Sequence, residues 1–303
     1  MILCIGSAAD DTYCHTIIAM KQANLKVDII DIARLALSGE VLFPMHDLRS
    51  SVFKTSERSY HLNDYWGVWI RPVEIAEAAP EKSLKEKSAG LQVAMNRLFN
   101  NITIPVINPP IRDVSNFSKL FHAVSLAKLA DWQIPRSCLT NNQTKAQNFI
   151  STCNEGVIFK GASAKKTWAT LYKKEIHEHQ LSALQAAPVL FQERIEGPDV
   201  RIHVVGDQLF GEAIESDDLD YRVSNKNKYN ALSLPDNIAK GCKRLSATCK
   251  IPFLGIDFKI KKTTGEWYFL EANTMPCYQG YDRRAKGAIS RAIIEWLIDN
   301  RNR

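Results

Sequence analysis

The stretch Phe253–Pro276, "FLGIDFKIKKTTGEWYFLEANTMP", decides how the chain reads. Leu254, Ile256, Phe258 and Ile260 alternate with Gly255, Asp257, Lys259 and Lys261, which is the period of a strand with one buried face. "KKTTGE" supplies turn chemistry, with Gly265 expected at positive φ, and "WYFLEAN" is the returning strand. A turn centred near Thr264 sets Asp257 opposite Glu271. Asn273, two residues on, then points to the same face. Two facing carboxylates repel unless a cation or a proton lies between them, and magnesium takes oxygen ligands of this kind. The competing reading is an edge hairpin whose acids pair with Lys259 and Lys261; this stretch alone leaves the two open.

The rest of the chain sets the frame. Its 303 residues, 45% hydrophobic and 24% charged, suit a globular protein of about two domains. No repeat appears, and no apolar run approaches the ~18 residues of a membrane span. The opening "MILCIGSAADD" has no basic segment before its apolar stretch, so no signal peptide is expected. Seven scattered cysteines without a C-x-x-C spacing fit reduced thiols in a cytoplasmic protein. The net charge of +6 is modest. Pairs such as Lys165-Lys166, Lys173-Lys174 and Arg283-Arg284 suit an anionic ligand or a solvated surface. Without a long basic run or an aromatic ladder, nucleic acid is not the expected partner.

Element signals give an α/β chain. "MILCIGSA", a helix capped by Asp10 or Asp11, and "KVDIIDI" form a βαβ opening without a G-x-G-x-x-G. "YWGVWIRP" is a strand ended by Pro72, a helical region covers about Glu74–Asn100, and "ITIPVINPP" ends in a double proline. The first boundary is placed there, near Asn108. A helix capped by Ser115 or Asn116 follows, with Leu120, Val124 and Ala127 on its stripe. "HEHQLSALQ" reads as another helix, "DVRIHVVGDQLFGEAIE" as a hairpin turning at Gly206-Asp207, and "AKGAISRAIIEWLIDN" as a closing helix. The apolar Ile289, Ile293, Trp296 and Leu297 of that last helix suit core packing. His177 and His179, two apart on a helix, face different ways, so zinc is not expected there. Cys277 is read as a buried structural thiol.

Several features suit a bound nucleotide. Lys160 closes the strand "VIFK" and enters a loop of small residues, Gly161, Ala162 and Ser163, whose backbone N–H groups can approach a phosphate. The link after "LFQE" can read an adenine edge, and Asp199 can accept from ribose hydroxyls. Arg201 and Arg222 can each clamp a phosphate or carboxylate.

Lys119, "VIFK", "FQERIEGPDVRIHVVGDQLFGEAI", "YRVSN", "LGIDFKI" and "FLEANTMP" in this order resemble the ATP-grasp superfamily. They are most similar to the branch of ribosomal-protein glutamate ligases and of ligases that crosslink ribosomal peptides. The resemblance spans about 108–282. It implies an N-terminal α/β domain, 1–108, before an ATP-grasp domain, 109–303. The latter divides into a lid and central part, 109–190, and a catalytic part, 191–303, with ATP held between two β-rich subdomains.

By that resemblance Lys119 and Lys160 contact ATP phosphates. Gln192 to Ile195 form the adenine link, with Glu193 and Ile195 bonding through backbone, and Asp199 holds the ribose. Asp257, Glu271 and Asn273 bind magnesium, two ions in all, for which manganese can substitute. Arg201, Arg222 and Asn225 lie near the transferred phosphate and acyl group. The implied reaction joins the carboxylate of a peptide, protein or small molecule to an amine or a hydroxyl through an acyl phosphate. A non-catalytic nucleotide-binding regulator is the alternative, and a homo-oligomer is left open. "GASAKKTW" is poor in glycine, and "KNKYNALS" stands where a Gly-Gly often follows in glutamate ligases, so the acceptor does not follow from the resemblance.

Overall fold

The computed structural model describes residues 1–71, 82–110, 119–161, 169–223 and 226–302. Pro72, Ser115, Asn116, Ala162, Ser163 and Asn225 lie outside them, as do the side chains of Lys119 and Leu120.

The first sheet is parallel, ordered β2-β1-β6-β7, from Ile2–Gly6 (β1), Val27–Asp31 (β2), Gly67–Ile70 (β6) and Val106–Ile107 (β7). Every residue of β1 is buried, because a parallel sheet is covered on both faces. Ile2 and Cys4 pack with Tyr13, Ile17 and Met20 of helix Asp11–Gln22, while Leu3 and Ile5 face Leu35, Met95 and Phe99. Asp10, rather than Asp11, is the cap, accepting from Thr12 N–H at 2.9 Å and Tyr13 N–H at 3.1 Å. The last helix, Ala288–Asp299, returns to this sheet and buries Ile289, Ile293 and Leu297 against Ile2 and Trp69. Between β2 and β6 lies a small antiparallel sheet of Glu40–Leu42 (β3), Val52–Lys54 (β4) and Ser59–His61 (β5). Strands of three residues are too short to show a period, and the sequence reading missed them.

Another sheet, ordered β10-β9-β11-β8, is built from Ser137–Thr140 (β8), Val157–Gly161 (β9), Thr170–Leu171 (β10) and Val189–Glu193 (β11). Val157, Phe159 and Phe191 pack with Ala146, Leu181 and Leu184 on one face. Register puts Ile158, Lys160, Leu190 and Gln192 on the other. The expected "HEHQLSALQ" helix is instead a short helix, Lys174–His177, continued by a 3-10 segment, Glu178–Ala186.

A five-stranded antiparallel sheet, ordered β14-β13-β12-β15-β16, completes the fold. Its strands are Asp199–Val205 (β12), Gln208–Glu215 (β13), Lys228–Ala231 (β14), Phe253–Ile260 (β15) and Trp267–Asn273 (β16). One face buries Val200, Ile202, Ile256 and Phe258 under helices Lys119–Ala130 and Asp236–Cys249. Trp132 sits between Phe258 and Phe269, its ring 4.8 and 5.1 Å from theirs. The stripe of helix Lys119–Ala130 is Ala123, Leu126, Ala127 and Ala130; Val124, expected on it, is 45% exposed.

Asn108, which follows β7, ties the parallel sheet to this one. Its side-chain amide donates to the Phe253 carbonyl at 2.6 Å and to the Thr274 carbonyl, and accepts from Phe253 N–H at 3.0 Å. Three backbone groups at the ends of β15 and β16 thus depend on one buried side chain. Asn108→Leu leaves them unmet, at ~1–3 kcal/mol each. The unfolding midpoint in denaturant is expected to fall by the equivalent of about 3 kcal/mol or more at unchanged m-value. An unaltered midpoint would show that the amide is dispensable.

Candidate functional site

The hairpin of β15 and β16 builds the polar face, through a bulge. Ile260 pairs with Trp267 and Phe258 with Phe269, a register that would set Asp257 opposite Leu270. A bulge between Asp257 and Phe258 lets β16 carry one extra residue, so that Asp257 pairs with Glu271 and Gly255 with Asn273. The bulge also reverses the facing of β16. Phe269 stays in the core, while Glu271 and Asn273 share the Asp257 face. Gly265 has φ +74° in the turn, as expected.

Arg201, on the neighbouring β12, lies directly across from Asp257. Its Nη1 reaches both Asp257 oxygens at 2.7 Å, and the two side chains are 8% and 16% exposed. Asn273 Nδ2 donates to Glu271 Oε1 at 3.1 Å and to Asp257 Oδ2 at 3.3 Å. Burial pushes the Asp257 carboxyl up to about 6 against the pull of Arg201, with Glu271 adding to the rise. The lysines of the edge-hairpin reading go elsewhere: Lys259 bonds Asp199 at 3.0 Å and Lys261 bonds Glu155 at 2.8 Å.

Two neighbours that sequence reasoning missed hold Arg201 in place. A Cβ at Gly255 would lie 2.3 Å from Arg201 Nη2 and 2.6 Å from Pro276 Cβ, so only glycine lets the guanidinium cross β15. His203, two residues along β12, accepts from Arg201 Nε at 3.5 Å. Burial, then Arg201, hold that imidazole well below its usual pKa, so it stays neutral. A glycine at alternating position 255 was the available signal; a buried histidine gives none. Cys277 is exposed rather than buried, because it lies in the segment that leaves the sheet after Asn273.

The remaining candidates spread along two sheets. Lys160, next to last in β9, pairs with Leu190 on the face shared with Gln192, whose side chain donates to Ser137 Oγ at 3.0 Å. Glu193 N–H donates to the Arg136 carbonyl at 2.8 Å, so of its backbone groups a base would meet the carbonyl. Ile195 is buried in the link between β11 and β12. Asp199 begins β12 on the Arg201 face, paired with Lys259, and burial raises its carboxyl. Arg222, half-exposed, is clamped on Asp220, with its Nε 2.8 Å from Oδ1, and feels the charge of Glu271. Lys119 opens helix Lys119–Ala130.

Asp199 pairs with Lys259, Asp220 with Arg222 and Asp257 with Arg201, and Glu271 faces Asp257 across the hairpin. Among the described residues no cluster of three His, Cys, Asp or Glu side chains forms a metal site; the set here is two carboxylates and an amide. Magnesium commonly takes one or two carboxylates and completes its shell with phosphate oxygens and water. The donor set fits that ion; Asp257, whose two oxygens both contact Arg201, would share them with it.

Comparison with known proteins agrees with this architecture. The RimK-like ATP-grasp domain matches residues 119–297. Macrocyclase MdnC of Microcystis aeruginosa MRC, bound with precursor peptide MdnA, superposes with a TM-score of 0.83 at 20% identity over 99% of this chain and 100% of that one. A Chryseobacterium gregarium RiPP-associated ATP-grasp ligase, in complex with ADP and a leader and core peptide, gives 0.83 at 20% identity over 100% and 98%. ATP-grasp ligase PsnB, complexed with a phosphomimetic variant of its minimal precursor, Mg and ADP, gives 0.81 at 22% identity over 98% of both chains. No curated protein matches the chain significantly. No helix among the described residues is long and apolar enough to cross a membrane. With more than half of its residues matched by one family and the fold shared over its whole length, the chain belongs to the RimK-like ATP-grasp family.

Proposed function

We propose that this chain is an ATP-dependent ligase that joins a carboxylate to an amine, or to a hydroxyl, on a peptide or protein tail. The observation that carries the reading is the row Arg201–Asp257–Glu271 with Asn273 beside it, set in register across three strands of an ATP-grasp sheet. The peptide is favoured because the similar structures MdnC, PsnB and the Chryseobacterium gregarium ligase hold precursor peptides. A free amino acid or small metabolite is the second reading, supported by a more distant likeness to D-alanyl-alanine synthetase A of Vibrio cholerae, at TM-score 0.58 and 14% identity.

In this reading residues 1–108 form the N-terminal unit and 109–303 the ATP-grasp unit. Lys119 and Lys160 hold phosphates, Gln192 to Ile195 the adenine and Asp199 the ribose. Asp257, Glu271 and Asn273 hold magnesium, which when bound neutralises the phosphate charge. The substrate carboxylate attacks the terminal phosphorus and ADP leaves; an amine then displaces phosphate from the acyl phosphate. Arg201 is fixed by Asp257 and His203 before the reaction and so costs no reorganisation as charge develops. Arg222 acts at the acyl end, the role that the resemblance also gives to Asn225, which lies outside the described residues. No protein nucleophile is required.

MgATP is expected to raise the unfolding temperature by the equivalent of about 2.7 kcal/mol at a hundredfold excess over Kd, and Lys160→Ala to reduce that rise. The decisive companion experiment is mass spectrometry of small proteins encoded beside the gene, incubated with the chain and MgATP. Loss of one water per bond formed supports crosslinking, and a gain of one residue supports addition. No thermal shift with ATP, ADP or a non-hydrolysable analogue would defeat the nucleotide assignment.

A further inference from the structure

A cavity of about 310 Å³ opens beside the site, between β13, β14 and the C-terminal helices. Its apolar wall is Phe210, Ala231, Leu232, Ala285 and Ile289. Its two charged side chains, Arg284 and Glu212, are paired with each other. Arg284 Nη2 meets Glu212 Oε2 at 2.7 Å and its Nε meets both Glu212 oxygens at 3.0 Å. The same guanidinium lies 3.8 Å from the centre of the Tyr229 ring and 4.8 Å from that of Tyr281. His203, also in the lining, is uncharged. The cavity therefore presents no net charge and no unpaired ion, which disfavours a charged occupant.

Its position relates it to the chemistry. Glu212 lies directly across from Arg201, and Arg201 directly across from Asp257. At about 4.8 Å per strand the wall begins roughly 10 Å from Asp257. An extended peptide covers that distance in about three residues. The volume is at the small end of ligand pockets, which start near 300 Å³, and suits one side chain rather than a nucleotide.

Resting on the peptide-ligase reading, we propose that this cavity seats an uncharged apolar side chain of the substrate peptide, within about three residues of the reacting carboxylate. It makes the enzyme selective for sequence around the joined residue and not only for the joined groups.

The test uses the full chain and four defined probes in ligand-detected NMR: N-acetyl-phenylalaninamide, N-acetyl-leucinamide, N-acetyl-lysinamide and N-acetyl-aspartic acid α-amide. The two apolar probes are expected to show saturation transfer, and the two charged ones to bind at least roughly tenfold more weakly, a 1.4 kcal/mol difference. Loading with a non-hydrolysable ATP analogue and manganese in place of magnesium is expected to broaden the bound apolar probes. Ala231→Trp, on the exposed edge strand, fills the cavity mouth. It is expected to abolish probe binding while the MgATP shift persists. Equal binding of charged and apolar probes, or undiminished binding to Ala231→Trp, would overturn the pocket. A chain that discriminates among the probes yet gains no stability from MgATP would overturn the ligase reading instead.

Discussion

Glu271→Gln is expected to lower turnover on the order of 10³-fold, about 4 kcal/mol of lost transition-state stabilisation. The substitution keeps the shape of the side chain and an oxygen for the Asn273 amide, which now donates to Oε1 at 3.1 Å. It removes a charge that faces Asp257 across the β15–β16 ladder and that raises the Asp257 carboxyl. Relief of that repulsion offsets the altered hydrogen bond, so stability is expected to change by no more than ~0.5 kcal/mol. Steady-state product formation and a denaturation curve, measured on the same preparation, separate the two effects. Full turnover in Glu271→Gln would reject its assignment to the metal, and a large loss of stability would make the carboxylate structural.

Arg201→Met is the second large effect, and it appears in stability. Asp257 is nearly buried and has both oxygens on Arg201 Nη1. Removing the guanidinium leaves that carboxylate beside Glu271 without its buried partner, a loss of ~3–5 kcal/mol. Adding Asp257→Asn to the same chain is expected to recover most of it, because the stranded charge is gone while the lost hydrogen bonds remain. Turnover is not recovered, since both side chains belong to the proposed site. An Arg201→Met chain as stable as the wild type would show that the pair contributes nothing to the fold.

These effects trace to residues whose legibility differed. Alternation in "FLGIDFKI" is a local property, and a strand pair closed by a short turn has few registers, so the Asp257–Glu271 facing followed from spacing. The means of achieving it did not. The turn alone would pair Asp257 with Leu270, and a bulge restores the facing; bulges leave little trace in residue type. The capping Asp10 and the core stripe of Ala288–Asp299 were readable because both are short-range. The partner of Asp257 was not, since Arg201 is 56 residues away and the choice among nearby lysines and arginines depends on strand order. Asn108 was read as a strand end before two prolines, where the first boundary was placed, and not as a tie between sheets. Its staple to Phe253 spans 145 residues, and nothing local marks it.

The most direct test of the central claim follows an oxygen atom. If a substrate carboxylate attacks the terminal phosphorus and an amine or hydroxyl then expels phosphate, the attacking oxygen departs with that phosphate. A peptide substrate identified by its loss of water, labelled with heavy oxygen in its reacting carboxylate, is incubated with the chain and MgATP. The account predicts one heavy oxygen in each inorganic phosphate released, with ADP as the other product. Product formed alongside unlabelled phosphate would contradict the acyl-phosphate mechanism.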